Sequence, residues 1–94
     1  MSKKRKLLNR VLSGSKNIRF GDLVTLLEAF GFTLDRISGS HHIYEHPEVS
    51  QSVSIQPDKN GQAKPYQVRQ FLALVERHRL RFIDDETDLD DSDR

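Results

Sequence analysis

The chain has 94 residues and no cysteine, so it has room for one domain and excludes a disulfide framework, a thiolate metal site and a cysteine nucleophile. No apolar run is long enough to span a membrane or to form the core of a secretory signal, so we expect a cytoplasmic protein. Residues 84–94 carry seven acidic groups and one arginine, and the rest of the chain carries 14 basic and seven acidic groups, a net +7. That balance is typical of a protein that binds a polyanion, although charge runs are also common as solvated tails.

Two helices are predicted in the first third of the chain. The first is short and basic and lies within an N-terminal arm, residues 1–19, which we expect to be loosely attached because Ser13-Gly14-Ser15 breaks the pattern. The second spans residues 20–30 and ends at Gly31, a helix C-cap glycine. Its apolar residues follow i, i+3, i+4 spacing: Phe20, Leu23, Val24, Leu27 and Phe30.

After Gly31 the hydrophobic period changes to that of strands. Residues 32–38, 41–46 and 52–56 are rich in β-branched and aromatic side chains, and turn residues at Gly39-Ser40 and at 47–51 separate them. The pattern predicts a three-stranded antiparallel meander, which a loop at residues 57–61 ends.

The last predicted helix begins at Pro65, which is favoured at the first helical position. Its apolar stripe consists of Val68, Phe71, Leu72 and Val75, and residues 78–82 either continue this helix or fray. The predicted domain, residues 20–83, is therefore an α+β fold of order α-β-β-β-α. Two helices cover one face of the sheet, the other face is open to solvent, and residues 84–94 form a disordered acidic tail.

Alternation along the strands predicts which side chains reach the open face. Taking Ile43 as the inward residue of the second strand places His42, Tyr44 and His46 on the open face, and His41 and Glu45 toward the helices. In the third strand Val53 and Ile55 are predicted to point inward. In the first strand, alternation puts Phe32 and Leu34 on the same face as Arg36 and puts Ile37 on the other face. This conflict predicts a bulge or an early end of the strand.

Three of the four histidines lie within residues 41–46. For His42 the residues leave three interpretations: a surface histidine, a metal ligand or an acid–base catalyst. The i, i+4 spacing of His42 and His46 is that of helical zinc sites. In a strand, however, that spacing separates the two Cα atoms by roughly 13 Å, too far for both rings to hold one ion with bonds of about 2 Å. The sequence therefore predicts neither a metal site nor a cofactor.

The order of motifs from residue 20 to about residue 80 resembles the HicA family, the toxins of HicA–HicB toxin–antitoxin pairs. The resemblance rests on Gly31-Phe32, Arg36, Gly39-Ser40-His41-His42, His46-Pro47 and Lys64-Pro65. It implies a double-stranded-RNA-binding-domain-like fold, metal-independent ribonuclease activity on mRNA, and a HicB-like antitoxin that covers the active face. The catalytic histidine of the family corresponds to His42.

The chain departs from the family in two places. Where many members have a second histidine after the third strand, this chain reads Gln56-Pro57-Asp58. The basic arm and the acidic tail also extend beyond the compact family core.

These observations predict an endoribonuclease toxin, with His42 as general acid or base and with mRNA and a HicB-like antitoxin as partners of a monomer. The predicted RNA contacts are Ser40, Tyr44, Arg36, Lys64 and Arg69. Tyr44 either stacks on a base or donates a hydrogen bond, or it is a half-exposed tyrosine of the sheet. The acidic tail is either a solubilising disordered end or a weak competitor of RNA for the basic groups. A non-catalytic RNA-binding module is the main alternative, and a protein-interaction domain is a third.

Overall fold

The computed structural model describes residues 3–83, and the predicted acidic tail lies outside the described residues. The elements in chain order are α1 (Lys3–Leu12), α2 (Phe20–Ala29), β1 (Thr33–Ser38), β2 (His41–His46), β3 (Val49–Ile55) and α3 (Pro65–His78). The predicted α+β class and its α-β-β-β-α order are confirmed, with α1 preceding them. Within residues 3–83 no helix is long and apolar enough to cross a membrane.

The sheet is the predicted antiparallel meander of order β1-β2-β3. Its first turn is Gly39-Ser40, where the φ angle of Gly39 is +61°, a left-handed conformation that favours glycine. The register of β1 against β2 shifts between Leu34 and Arg36, and this bulge accounts for the conflicting parity in the sequence. Prediction placed the start of β3 at residue 52, which is wrong: the strand begins at Val49, whose side chain is buried.

The hydrophobic core lies between one face of the sheet and the helices. Its most completely buried side chains come from α2, β3, α3 and the residue before β1: Leu23, Leu26, Leu27, Phe32, Ile55 and Phe71. The φ angle of Gly31 is +94°, and the chain turns there from α2 toward β1. The i, i+3, i+4 pattern predicted these helical faces because a helix buries one stripe.

The N-terminal arm is packed against the domain and not loosely attached as predicted. Leu7, Leu8 and Val11 on one face of α1 are buried in the same core cluster as α2 and α3. The guanidinium of Arg10 also donates a hydrogen bond of 2.7 Å to the carbonyl oxygen of Asn17, across the Ser-Gly-Ser break. The apolar stripe of α1 is short, but it packs on the core formed with α2 and α3. The free energy gained by burying these side chains outweighs the entropy that the flexible Ser-Gly-Ser connection loses.

The chain after α3 folds back on the domain. Arg79 adopts a left-handed conformation with φ +52° and ends the helix at His78. Leu80 is then buried, and the rings of Phe82 and Phe30 lie 5.4 Å apart. The N–H of Ile83 donates to the carbonyl oxygen of Ala29 at 2.6 Å. Residues 79–83 thus neither continue the helix nor fray. They pack against the end of α2 and cover this part of the core.

Candidate active site

The two faces of β2 are the reverse of the sequence prediction. Tyr44 is 3% exposed and lies in the core, opposite the buried Val53 in the β2–β3 ladder, whereas Ile43 is only half-buried. The predicted assignment took the aliphatic residue as the inward one. The larger apolar area of the tyrosine ring favours its burial instead, and its ladder partner faces the same way. His42 and His46 therefore share the helix-facing side with Tyr44.

Tyr44 is consequently not placed to stack on a base at an open face, as predicted. Burial raises the pKa of its hydroxyl, and the nearby negative charge of Glu28 raises that pKa further. Both effects keep the hydroxyl neutral. Tyr44 serves as a core residue beneath the histidine-bearing strand.

His42 lies at the end of the sheet where β2 begins. It pairs with Ile55 of β3 and Ile37 of β1. Its half-buried ring meets the ring of Phe20, the first residue of α2, edge-on with centroids 4.9 Å apart. The imidazole is therefore held between the hairpin and the start of a helix.

One ring nitrogen of His42 is engaged by the turn that precedes it. Nδ1 lies 3.3 Å from the carbonyl oxygen of Ser40, a long hydrogen bond. A carbonyl oxygen only accepts, so this contact places the proton on Nδ1 in the neutral ring. Nε2 is then left with its lone pair, and no residue in the described range 3–83 hydrogen-bonds to it. A neutral imidazole in this tautomer is a base.

Ser40 also connects the hairpin to the end of β3. Its hydroxyl donates to Oε1 of Gln56 at 3.1 Å. The backbone N–H of Gln56 in turn donates to Oε1 of Gln67 at 3.1 Å. Ser40, predicted as an RNA contact, is thus placed beside His42 with its hydroxyl directed to a neighbouring amide.

Gln67 completes this connection from the first turn of α3. It is 4% exposed, the one buried polar residue in the described chain, and its Nε2 donates to the hydroxyl of Tyr66 at 3.3 Å. Tyr66 is itself 49% exposed. We call the five residues Ser40, His42, Gln56, Gln67 and Tyr66 the His42 patch.

Sequence reasoning missed Gln56, Gln67 and Tyr66 as members of the site. The available signal was the position of Gln67 one helical turn before Phe71, on the apolar side of α3. A glutamine there must find hydrogen-bond partners in the interior.

The starts of α2 and α3 lie side by side next to the His42 patch. The N–H of Phe20 donates to the carbonyl oxygen of Gly61 at 3.1 Å, and the N–H of Ala63 to that of Ile18 at 2.8 Å. The residue before α2 is Arg19 and the residue before α3 is Lys64. Two helices, each preceded by a cationic residue, therefore begin next to the His42 patch, and the positive ends of their dipoles favour a phosphate there.

The other two predicted cations lie in different surroundings. Arg69 is exposed on α3 and lines a cleft of about 220 Å³ between α3 and residues 14–18, together with Lys16. Arg36 pairs with Ile43, so it is on the face opposite His42, and its guanidinium forms an ion pair with Asp35. The structure thus places Lys64 directly before the helix that carries Tyr66 and Gln67 of the His42 patch, and Arg36 on the opposite face of the sheet.

The open face of the sheet also carries acidic groups. A hydrogen bond that protonated Glu45 donates to the Asp35 carboxylate, together with the negative charge of Asp35, raises the pKa of Glu45 above its usual range. Paired acids repel a polyanion, so this face is less suited to RNA than the His42 side.

His46 makes a hydrogen bond and a ring contact within the domain. Its Nδ1 accepts the N–H of Glu48 at 3.0 Å, and its ring lies 5.0 Å from that of Phe32. The hydrogen-bond and ring partners of His46 differ from those of His42, and within residues 3–83 no three metal-binding side chains cluster together.

In a comparison with protein families, residues 20–76 match the family described as the HicA toxin of bacterial toxin–antitoxin systems. The match covers more than half of the chain, which therefore belongs to this family. Membership gives the protein the role of a toxin with an antitoxin partner, and HicA toxins as a family cleave mRNA. No curated protein and no solved structure matches the chain.

Proposed function

We propose that this toxin is an endoribonuclease that binds mRNA and cleaves it without a metal ion, with His42 as its proton carrier. The observation that carries the proposal is the hydrogen bond from Nδ1 of His42 to the carbonyl oxygen of Ser40, which leaves Nε2 as a base. The ring is half-buried and braced by Phe20, so its direction is fixed before substrate arrives.

RNA supplies the rest of the reacting groups. Nε2 of His42 takes the proton of a 2′-hydroxyl, the 2′-oxygen forms a bond to the adjacent phosphorus, and the bond from phosphorus to the 5′-oxygen breaks. Water protonates the leaving 5′-oxygen. The products are a 2′,3′-cyclic phosphate and a 5′-hydroxyl. A positioned acid or base contributes about 10²–10⁴-fold to such a step.

Arg19 and Lys64 are the proposed phosphate contacts, because each precedes a helix that begins beside the His42 patch. Arg69 extends this basic surface along α3. Contacts of this kind bind the backbone without reading sequence, and each lost contact lowers the salt dependence of binding. Lys64→Gln is expected to weaken RNA binding at low salt and to reduce its salt dependence.

The direct test is cleavage of a long RNA in EDTA by the wild type and by His42→Ala. We expect cleavage by the wild type in the chelator, products that end in a cyclic phosphate, and a rate for His42→Ala lowered by about 10²–10⁴-fold. His41→Ala is the matched control, because His41 is the adjacent histidine, exposed on the other face of β2. Equal activity of wild type and His42→Ala, or cleavage that EDTA abolishes, would rule out this mechanism.

One observation favours RNA binding without cleavage as the second candidate. The His42 patch contains a single imidazole, and the amide of Gln56 beside it cannot carry protons at neutral pH. A binding module of this fold recognises RNA by shape and phosphate contact alone. It would bind with a steep salt dependence while the RNA stays full length on a gel.

The antitoxin is proposed to be HicB-like and to cover the His42 patch and the cations beside it. Acidic side chains are attracted to that surface for the same reason as phosphates. Co-expression with such a partner is expected to suppress RNA cleavage and to protect the amides of residues 18–20, 62–64, 66 and 67 from hydrogen exchange. Inhibition without protection there would place the partner elsewhere.

A further inference from the structure

The carboxamide of Gln56 is held in one orientation beside the proposed general base. Its Oε1 accepts the hydroxyl of Ser40 at 3.1 Å. The two N–H groups of its Nε2 therefore point away from Ser40. They donate no hydrogen bond within the described residues 3–83, although the side chain is half-buried.

The backbone of Gln56 is fixed as firmly as its side chain. Its N–H donates to the buried amide of Gln67, which ties the end of β3 to the first turn of α3. Gln56 also follows Ile55, the ladder partner of His42, so the two residues lie at the same end of the sheet. The same residue, Ser40, contacts both: its carbonyl oxygen meets the imidazole, and its hydroxyl meets the carboxamide.

We infer that Gln56 is a catalytic residue whose Nε2 donates a hydrogen bond to a non-bridging oxygen of the scissile phosphate. The inference rests on the proposed ribonuclease function. Negative charge on those oxygens grows as the 2′-oxygen attacks, and a donor held in place beforehand stabilises it without reorganising. Ser40 acts as the positioning residue, because its hydroxyl selects the orientation that directs Nε2 outward.

Sulfur substitution in the substrate tests this contact directly, because sulfur accepts hydrogen bonds poorly. The probe is a short synthetic RNA built around the main site at which the wild-type protein cuts. It is made in two forms, with one or the other non-bridging oxygen of the scissile phosphate replaced by sulfur. We expect the wild type to cut one form about tenfold more slowly than the other.

Gln56→Ala is expected to lower kcat for the all-oxygen RNA on the order of 10²-fold, the effect of removing one preorganised donor. It should also reduce the discrimination between the two sulfur forms to within about twofold, because the donor that senses the substitution is gone. Gln56→Glu keeps an acceptor for Ser40 but lacks the N–H groups, so it should lose at least as much activity. A merely structural role for Gln56 would lower the rates of all three substrates equally.

Ser40→Ala removes the hydroxyl and leaves the carbonyl contact with His42 in place. We expect it to lower kcat by several-fold, and to have no further effect in a Gln56→Ala background. Ser54→Ala, an exposed serine on β3, is the control that leaves kcat unchanged. If Gln56→Ala cleaves with a wild-type kcat, or keeps the wild-type sulfur discrimination, the role of Gln56 is overturned. If the wild type leaves the RNA intact, it is the ribonuclease proposal that fails.

Discussion

The ring of His42 meets the ring of Phe20 edge-on, with centroids 4.9 Å apart and an angle of 64° between the planes. Phe20 is the first residue of α2 and packs against the hydrophobic core. Because Phe20 is held by the core, the contact restricts the motion of the His42 ring at the end of the sheet. On its other side the imidazole is held by Ser40, so two elements distant in sequence fix its direction.

Phe20→Leu is expected to lower the single-turnover cleavage rate by about 3- to 10-fold. An aromatic pair contributes about 0.5–1.5 kcal/mol beyond its buried area, and leucine keeps the apolar volume while losing the edge-on contact. The rate is measured with protein in excess over RNA, so that binding does not limit it. Phe82→Leu is the control, since Phe82 packs on Phe30 at the opposite end of the core. A rate loss of equal size in the control would assign the effect to general stability.

Stability is expected to depend on pH through Glu45. The hydrogen bond that protonated Glu45 donates to the Asp35 carboxylate comes first among the causes that raise the pKa of Glu45, followed by the charge of Asp35. A raised pKa in the folded state means that the fold binds this proton more tightly than the unfolded chain does. The stabilisation is therefore present below the unfolded pKa of about 4.3 and is lost as the pH rises through the folded pKa.

Glu45→Gln should accordingly raise the Tm at pH 7.5, where the two carboxylates repel, and change it little at pH 3.5. Thermal unfolding followed by circular dichroism at the two pH values measures this difference. Glu48→Gln, an exposed acid in the turn after β2, should shift the Tm by a similar small amount at both. A gain for Glu45→Gln that is larger at pH 3.5 would contradict the assignment.

Gly31→Ala and Gly21→Ala are expected to change stability in opposite directions. Gly31 has φ +94°, and a Cβ there would lie 3.0 Å from Nε2 of His46, so alanine should cost about 1 kcal/mol or more. Gly21 lies in α2 with open space around it, and alanine there should add about 0.5–1 kcal/mol. Urea unfolding gives both free energies. Destabilisation by both substitutions, or by neither, would be inconsistent with these two backbone environments.

The elements of this fold were predictable from sequence, whereas the side of the sheet that carries the site was not. Periodicity identified α2, the meander and α3 because a buried helix stripe and a strand each leave a fixed spacing. Alternation in β2 separates two sets of side chains but does not say which set is buried. That outcome depends on the ladder between Tyr44 and Val53 and on the helices that cover them. Choosing Ile43 as the inward residue therefore inverted the whole strand.

Of the residues at the candidate site, some were predictable from the sequence and others were not. His42 itself was singled out by the histidine-rich turn and the family resemblance. The link from Gln56 to Gln67 joins the end of β3 to the start of α3 across 11 residues and follows no periodic pattern. Only the tertiary structure shows that a buried amide takes the N–H of the residue after β3.

The final prediction concerns α1, whose two leucines lie in opposite environments. Leu8 is 9% exposed within the core cluster, and Leu12 is 62% exposed. Leu8→Ala should lower the free energy of unfolding by about 2–5 kcal/mol, because it removes buried methyl groups and leaves a cavity. Leu12→Ala should change it by no more than about 0.5 kcal/mol, as for most surface substitutions. The two variants make the same chemical change in one helix, so helix propensity and composition are matched. Urea unfolding that gave equal small losses for both would mean that α1 does not pack on the domain in solution.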